Sequence, residues 1–278
     1  MPLPRGLIGV VHLRPLPGDP RYEEGGFAAV REHALRDLDA LAEGGAAAIV
    51  LENFGSAPFV KGVAGDRLPP HQVAALAVLA REAAQRTGLP IGVNCLRSDG
   101  PAAVGIAAIA GCAFVRVNVH TGVYVTDQGL IEGEAARTLG YRRTLGVADR
   151  VAIAADVLVK HARPLVAFPP DELVRDAIER GLADAVIATG ARTGAPVDET
   201  LLATMREAAG DTPLWIGSGL TPERAARLAP YADAAIVGSW LKRGGRLDAP
   251  VDPARVRAMA EALRDTLRRP TAAGRVSD

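Results

Sequence analysis

The residues best suited to chemistry in this chain are its scarce polar ones, and they cluster at one kind of place. Only three asparagines occur in 278 residues, Asn53, Asn94 and Asn118, and each ends or follows a short apolar run of the sort that forms a buried strand. The richest stretch is AFVRVNVHTGVYVTDQGLIEG, residues 113–133. Its first half alternates at period two, so Arg116, Asn118 and His120 share one face while Val115, Val117 and Val119 share the other. From Thr121 to Gly133 no helical period survives, and Asp127, Gln128 and Glu132 fall in a segment that reads as a long loop able to close over a ligand. A solvated edge strand is the bland alternative, and the apolar flanks argue against it.

Glu52 and Asp156 interrupt apolar strand runs and are the expected general acid or base, because burial raises a carboxylate pKa. His12, His120 and His161 could relay protons or bind a metal together with those acids. No compact motif such as HExxH is present, so no metal ligands or other cofactor are assigned, and a divalent ion stays an open alternative. His33 lies among charged residues on a helix and is expected to be exposed. Lys61, Lys160 and Lys242 are the only lysines beside 29 arginines, and each falls in a loop after a strand. Compact, titratable amines on one rim could do what arginine cannot, including Schiff-base formation at Lys160 if its pKa falls.

Two turns suit an anion. Gly217-Ser218-Gly219 precedes Thr221-Pro222-Glu223, and Gly238-Ser239 precedes Trp240. Glycine lets backbone amides approach a phosphate, and a helix start adds unpaired N–H groups. Lys242 or Arg243 could complete the cradle, while the competing reading is glycine needed only for tight corners.

The elements that must position these groups alternate eight times. Strands are expected at Leu7–His12, Ala47–Asn53, Pro90–Cys95, Ala113–His120, Val151–Val157, Ala185–Thr189, Pro213–Gly217 and Ala234–Gly238. Helices follow them near Phe27–Glu43, Pro70–Thr87, Pro101–Ala110, Glu134–Leu145, Asp171–Arg180, Asp198–Ala209, Thr221–Leu228 and Pro253–Arg268. Gly44, Gly88, Gly111, Gly181 and Gly210 read as left-handed helix caps. No linker divides the series, so the expected fold is α/β, a single closed (β/α)₈ barrel over residues 1–269 with a mobile tail at 270–278. The loops after strands seven and eight would then be the usual phosphate site of such barrels. Hydrophobic residues make up 49% of the chain and aromatics 4%, a palette of Ala, Val, Leu and Ile that suits helices on a parallel sheet.

The formal charge is zero, which gives no electrostatic case for nucleic acid. Cys95 and Cys112 form no disulfide framework or ligand cluster and suit a reducing cytoplasm. The first apolar run is broken by His12 and Arg14, too early for a signal peptide or membrane span. Ala-rich helices such as Phe27–Glu43 could equally face a second subunit, so a homo-oligomer is expected.

The runs VVHLRPLPGDPRY, VLENFGSAPF, IGVNCLR, FVRVNVHTGVYVTDQGLIEG, DVLVKHA, ATGARTGAP, IGSGLTPE, VGSWLK and PVDP, in this order, resemble the BtpA/SgcQ family over residues 7–268. The resemblance implies a TIM barrel of the ribulose-phosphate-binding type. It also implies a link to photosystem I accumulation in cyanobacteria, with peripheral membrane association, or to sugar uptake, and it carries no defined reaction. His12, Glu52, Asn53, Asn94, Arg116, Asn118, His120, Thr121, Asp127, Gln128, Glu132, Asp156, Lys160 and His161 occupy its motif positions. Two functions follow. The favoured one is an enzyme acting on a small phosphorylated sugar or ribosyl compound, by isomerisation, aldol-type cleavage or ribosyl hydrolysis. The other is a non-catalytic assembly factor.

Overall fold

A computed structural model describes residues 3–190 and 197–268. The expected tail and residues 191–196 of ATGARTGAP lie outside these. Eight parallel strands close into a barrel in the order β1 (Gly6–His12), β2 (Ala48–Glu52), β3 (Ile91–Asn94), β4 (Phe114–Val117), β7 (Ala152–Val157), β9 (Ala185–Ala188), β10 (Leu214–Ile216) and β11 (Ala234–Val237), with β11 pairing back onto β1. The helices around it are α1 (Gly26–Glu43), α2 (Pro70–Thr87), α3 (Gly100–Ala110), α4 (Ala135–Thr144), α5 (Pro170–Arg175), α6 (Glu199–Ala209), α7 (Pro222–Leu228) and α8 (Pro253–Arg264). The eightfold βα alternation therefore builds the expected TIM barrel.

Strand parity decides what each residue touches. Ile8, Val10, Ala48, Val50, Phe114, Ala154, Ile187, Trp215 and Ile236 fill the barrel interior, while Leu7, Val11, Ile49, Leu51, Val115 and Val117 face outward onto the helices. Two aromatic rings, Phe114 and Trp215, meet edge to face at 5.4 Å in that interior. Gly92 makes room for the first of them, since a β-carbon there would lie 2.2 Å from the Phe114 ring. Outside, Gly9 lets α1 close on the barrel, because its β-carbon would meet Leu41 at 2.4 Å.

Some expected elements differ. β4 ends at Val117, not His120, and the expected lid is an ordered antiparallel sheet of β5 (Val123–Thr126), β6 (Gly129–Glu132) and β8 (Ala162–Pro164), in the order β6-β5-β8. Alternation explains it: Tyr124, Ile131 and Ala162 turn inward onto Val119 and Val159, and Asp127-Gln128 make the turn. The expected helix Asp171–Arg180 changes to a π-turn from Asp176 to Arg180. Gly88 and Gly111 are left-handed caps as expected, whereas Gly44 and Gly181 are right-handed, with positive φ falling one residue later, at Gly45 and Leu182.

Candidate functional site

The barrel register brings four of the singled-out residues into one row. His12 is the ladder partner of Glu52, Glu52 of Asn94, and Asn94 of Arg116. All four share the inward parity of their strands, His12, Glu52 and Asn94 as the last residue and Arg116 as the last but one, so they form the top layer of the barrel filling. Asp156 joins from β7 and Asn118 from the residue after β4.

At the centre of this layer lies Arg116, 2% exposed. Its Nε and Nη2 donate to the two oxygens of Asp156, both at 2.9 Å, and its Nη1 donates to Glu52 Oε1 at 2.9 Å. Asn94 Nδ2 donates to the same Glu52 oxygen at 3.0 Å, and Asn118 Nδ2 to Asp156 Oδ2 at 2.8 Å. The pKa of Glu52 consequently runs against the expectation. Burial alone would raise it, but the Arg116, Lys160 and His12 charges and the Asn94 bond outweigh burial and hold it at about 2. Arg116 is held charged in turn: burial disfavours its charge, and Asp156 and Glu52 more than restore it. Asn94 Oδ1, Asn118 Oδ1 and His12 Nδ1 are buried and accept or donate no hydrogen bond. Each such group costs roughly 1–3 kcal/mol when left unpaired.

Beside this layer a narrow cavity of about 30 Å³ is lined by Val10, His12, Glu52, Arg116, Lys160, Ile236, the Gly217–Leu220 turn and the Val237–Trp240 turn. His12 packs against Phe54 in a tilted pair with ring centroids 4.7 Å apart, and burial chiefly lowers its pKa to about 4, so it is neutral at pH 7. Burial, then the Arg116 charge, also lowers the pKa of Lys160. Gly238 is required by this packing, since a β-carbon would come within 2.7 Å of the His12 ring. At Gly217 a β-carbon would lie 2.5 Å from Ile187 and 2.8 Å from Thr189. Ser218 Oγ accepts the amide of Gly190 at 2.7 Å, tying the turn after β10 to the end of β9. A one-turn 3₁₀ helix, Ser239–Leu241, opens at the cavity, and its first amides have no acceptor within the helix. A larger cavity of about 490 Å³ lies at the opposite end, around Arg5, Asp149, Asp184 and Asp233, the face of such barrels associated with stability.

Other singled-out residues sit elsewhere. Asn53 points out of the barrel and braces a loop, donating to Gln72 Oε1 and Leu96 O and accepting from Leu96 N. His120 turns away from the mouth, its Nε2 at 2.7 Å from the Gly181 carbonyl, because β4 has already ended. Thr121, Asp127, Gln128 and Glu132 belong to the small sheet and its flanks, Asp127 and Glu132 being exposed, and His161 is exposed beside Lys160. Lys242 is fully buried and pairs with Asp37 of α1 at 2.7 Å, so it is no part of the cradle. His33, expected at the surface, is buried next to the same Asp37, at 3.7 Å. Arg97 was missed: it is 4% exposed, donates to the Lys160 carbonyl and leaves its Nε unpaired. One arginine among 29 carries no sequence signal. Among the described residues no three His, Cys, Asp or Glu side chains are grouped to hold a metal, and no helix is long and apolar enough to cross a membrane.

The sequence profile of the BtpA family matches residues 4–265. The chain belongs to the BtpA family. Within it, the photosystem I biogenesis protein BtpA of Synechocystis sp. is 45% identical, over 94% of this chain and 89% of that one. Solved structures align at lower identity and share the fold. Phosphoribosyl anthranilate isomerase from Thermococcus kodakaraensis is 15% identical with a TM-score of 0.55, covering 94% of this chain and 99% of that one. Orotidine 5'-phosphate decarboxylase from Pyrococcus horikoshii is 16% identical with a TM-score of 0.52, covering 92% and 99%. This BtpA-family barrel thus shares its architecture with enzymes named for phosphoribosyl anthranilate and for orotidine 5'-phosphate.

Proposed function

We propose that this chain is an enzyme acting on a small phosphorylated sugar or ribosyl compound by proton transfer at the barrel mouth. One observation carries the reading: the glycine turns after β10 and β11 line the same cavity as His12, Glu52, Arg116 and Lys160. The turns and the 3₁₀ amides are suited to a phosphate, whose charge the helix-start dipoles favour. The sugar end would then lie over the Arg116 layer.

The protonation states sort the roles. Glu52, ionised down to about pH 2, cannot serve as a general acid at neutral pH and instead orients Asn94 and holds charge beside Lys160. Asp156 has both oxygens committed to Arg116 and acts as its anchor. Proton transfer next to a carbonyl falls to Lys160, whose pKa burial and the Arg116 charge lower, with neutral His12 as the partner that steadies an enolate oxygen. The same amine suits Schiff-base chemistry. The cavity admits little more than a water, so a ligand enters only when its lining opens.

Calorimetric titration with inorganic phosphate and ribose 5-phosphate, on wild type and Gly238→Ala, tests this. Phosphate binding that the variant weakens by about tenfold supports the cradle; at a hundredfold excess over Kd the ligand should add about 2.7 kcal/mol of stability. Absence of binding to both ligands would overturn the proposal in favour of the non-catalytic role.

A further inference from the structure

We propose that the inner end of this mouth is a hydroxyl-recognition subsite, so the ligand is a polyhydroxylated phosphate and not a phosphorylated carboxylic acid. This rests on the phosphate reading above and specifies the other end of the ligand. The orientation of two amides decides it. Asn94 contacts Glu52 Oε1, an oxygen that also accepts Arg116 Nη1–H, and Asn118 contacts Asp156 Oδ2, which also accepts Arg116 Nη2–H. A carboxylate that receives a guanidinium N–H can only accept, so both amides must present their NH₂ groups to it. Neither can be flipped. Their carbonyl oxygens are therefore fixed as the free atoms, and both are buried without a donor.

Glu52 adds to the excess of acceptors, since its Oε2 lies 3.9 Å from His12 Nε2, beyond hydrogen-bond reach. Arg116 spends three of its N–H donors on the two acids. A carboxylate-ended ligand placed here would meet two carboxylates and two amide oxygens. A hydroxyl donates to an amide oxygen and accepts from the remaining Arg116 N–H groups, so it matches the layer. Asn94 pairs with Arg116, so Asn118, two residues on, is its diagonal neighbour roughly 7–8 Å away. Both amides bond to the Glu52–Arg116–Asp156 cluster, whose Glu52 and Arg116 line the cavity, and their oxygens suit two separate hydroxyls of one carbon chain.

The test is a ligand series titrated into the intact chain: ribose 5-phosphate, pentyl phosphate of similar length without hydroxyls, phosphoglycolate with a carboxylate end, and inorganic phosphate. Ribose 5-phosphate should bind about tenfold or more tightly than pentyl phosphate, because a site built for hydroxyls rejects the analogue that lacks them. Phosphoglycolate should bind no more tightly than inorganic phosphate. In Asn118→Ala the preference for ribose 5-phosphate over pentyl phosphate should shrink while inorganic phosphate affinity persists. Equal binding of the ribose and pentyl phosphates, or tightest binding of phosphoglycolate, overturns the subsite and leaves the phosphate cradle standing. Failure of inorganic phosphate and the whole series to bind overturns both.

Discussion

Replacing Arg116 with methionine should reverse the way acid acts on this protein. In the wild type the Glu52 carboxyl is held at about 2 against an ordinary 4.5. A depressed carboxylate contributes stability that is fully present above the unfolded pKa and is lost as pH falls through the folded one. At 1.36 kcal/mol per unit that is about 3 kcal/mol, lost between roughly pH 4.5 and 2. Arg116→Met leaves Glu52 and Asp156 buried with no guanidinium, and stranding buried charge costs about 3–5 kcal/mol. Burial then dominates Glu52 and raises its pKa above the ordinary value. The penalty is present at neutral pH and relieved as acid protonates the carboxyl. Urea denaturation at pH 7, 5.5 and 4.5 measures both effects. The expected result is a large loss at pH 7 that narrows with acid, and Arg116→Met/Glu52→Gln/Asp156→Asn should recover much of it. A variant within about 1 kcal/mol of wild type at pH 7, or one losing stability with acid in parallel with wild type, would refute the reasoning.

Lys242→Met should cost about 3–5 kcal/mol by stranding Asp37, yet leave phosphate affinity intact once the protein is folded, as calorimetry would show. Lys160→Met should do the opposite. Burial lowers the pKa of that amine, so its protonated form is penalised at every pH below the folded pKa, and removing it should raise Tm at pH 7 while weakening phosphate affinity. His12, with a pKa of about 4, destabilises the fold as pH drops from 6.5 towards 4, and an NMR titration should find its ring neutral at pH 6; a midpoint at or above 6 would contradict the burial argument.

The period-two alternation of FVRVNV was enough to place Arg116 and Asn118 on the inner face, and eight βα units were enough to close the barrel. His120 shares that parity in sequence but not in space, because nothing local marks Val117 as the last strand residue. The turn to a small sheet depends on Tyr124 and Ile131 finding Val119 and Val159, contacts from a later segment. The roles of the charges were still less legible. Burial was expected to raise the pKa of Glu52, and it does oppose ionisation, but the countercharge comes from a residue 64 positions along. Lys242 looked like Lys160 in sequence, a lysine after a strand, and only the fold shows its partner to be Asp37, 205 residues away.

The Arg116 layer also bears on how a ligand arrives. Two acids share one guanidinium there, so an approaching anion meets no surplus of positive charge at the floor, and the whole chain is formally neutral. Capture must rely on the turn amides, whose dipolar pull fades within a few ångströms. The association rate for a phosphorylated ligand should therefore change little between 10 mM and 150 mM salt, unlike that of a protein that steers its ligand through a long-range field.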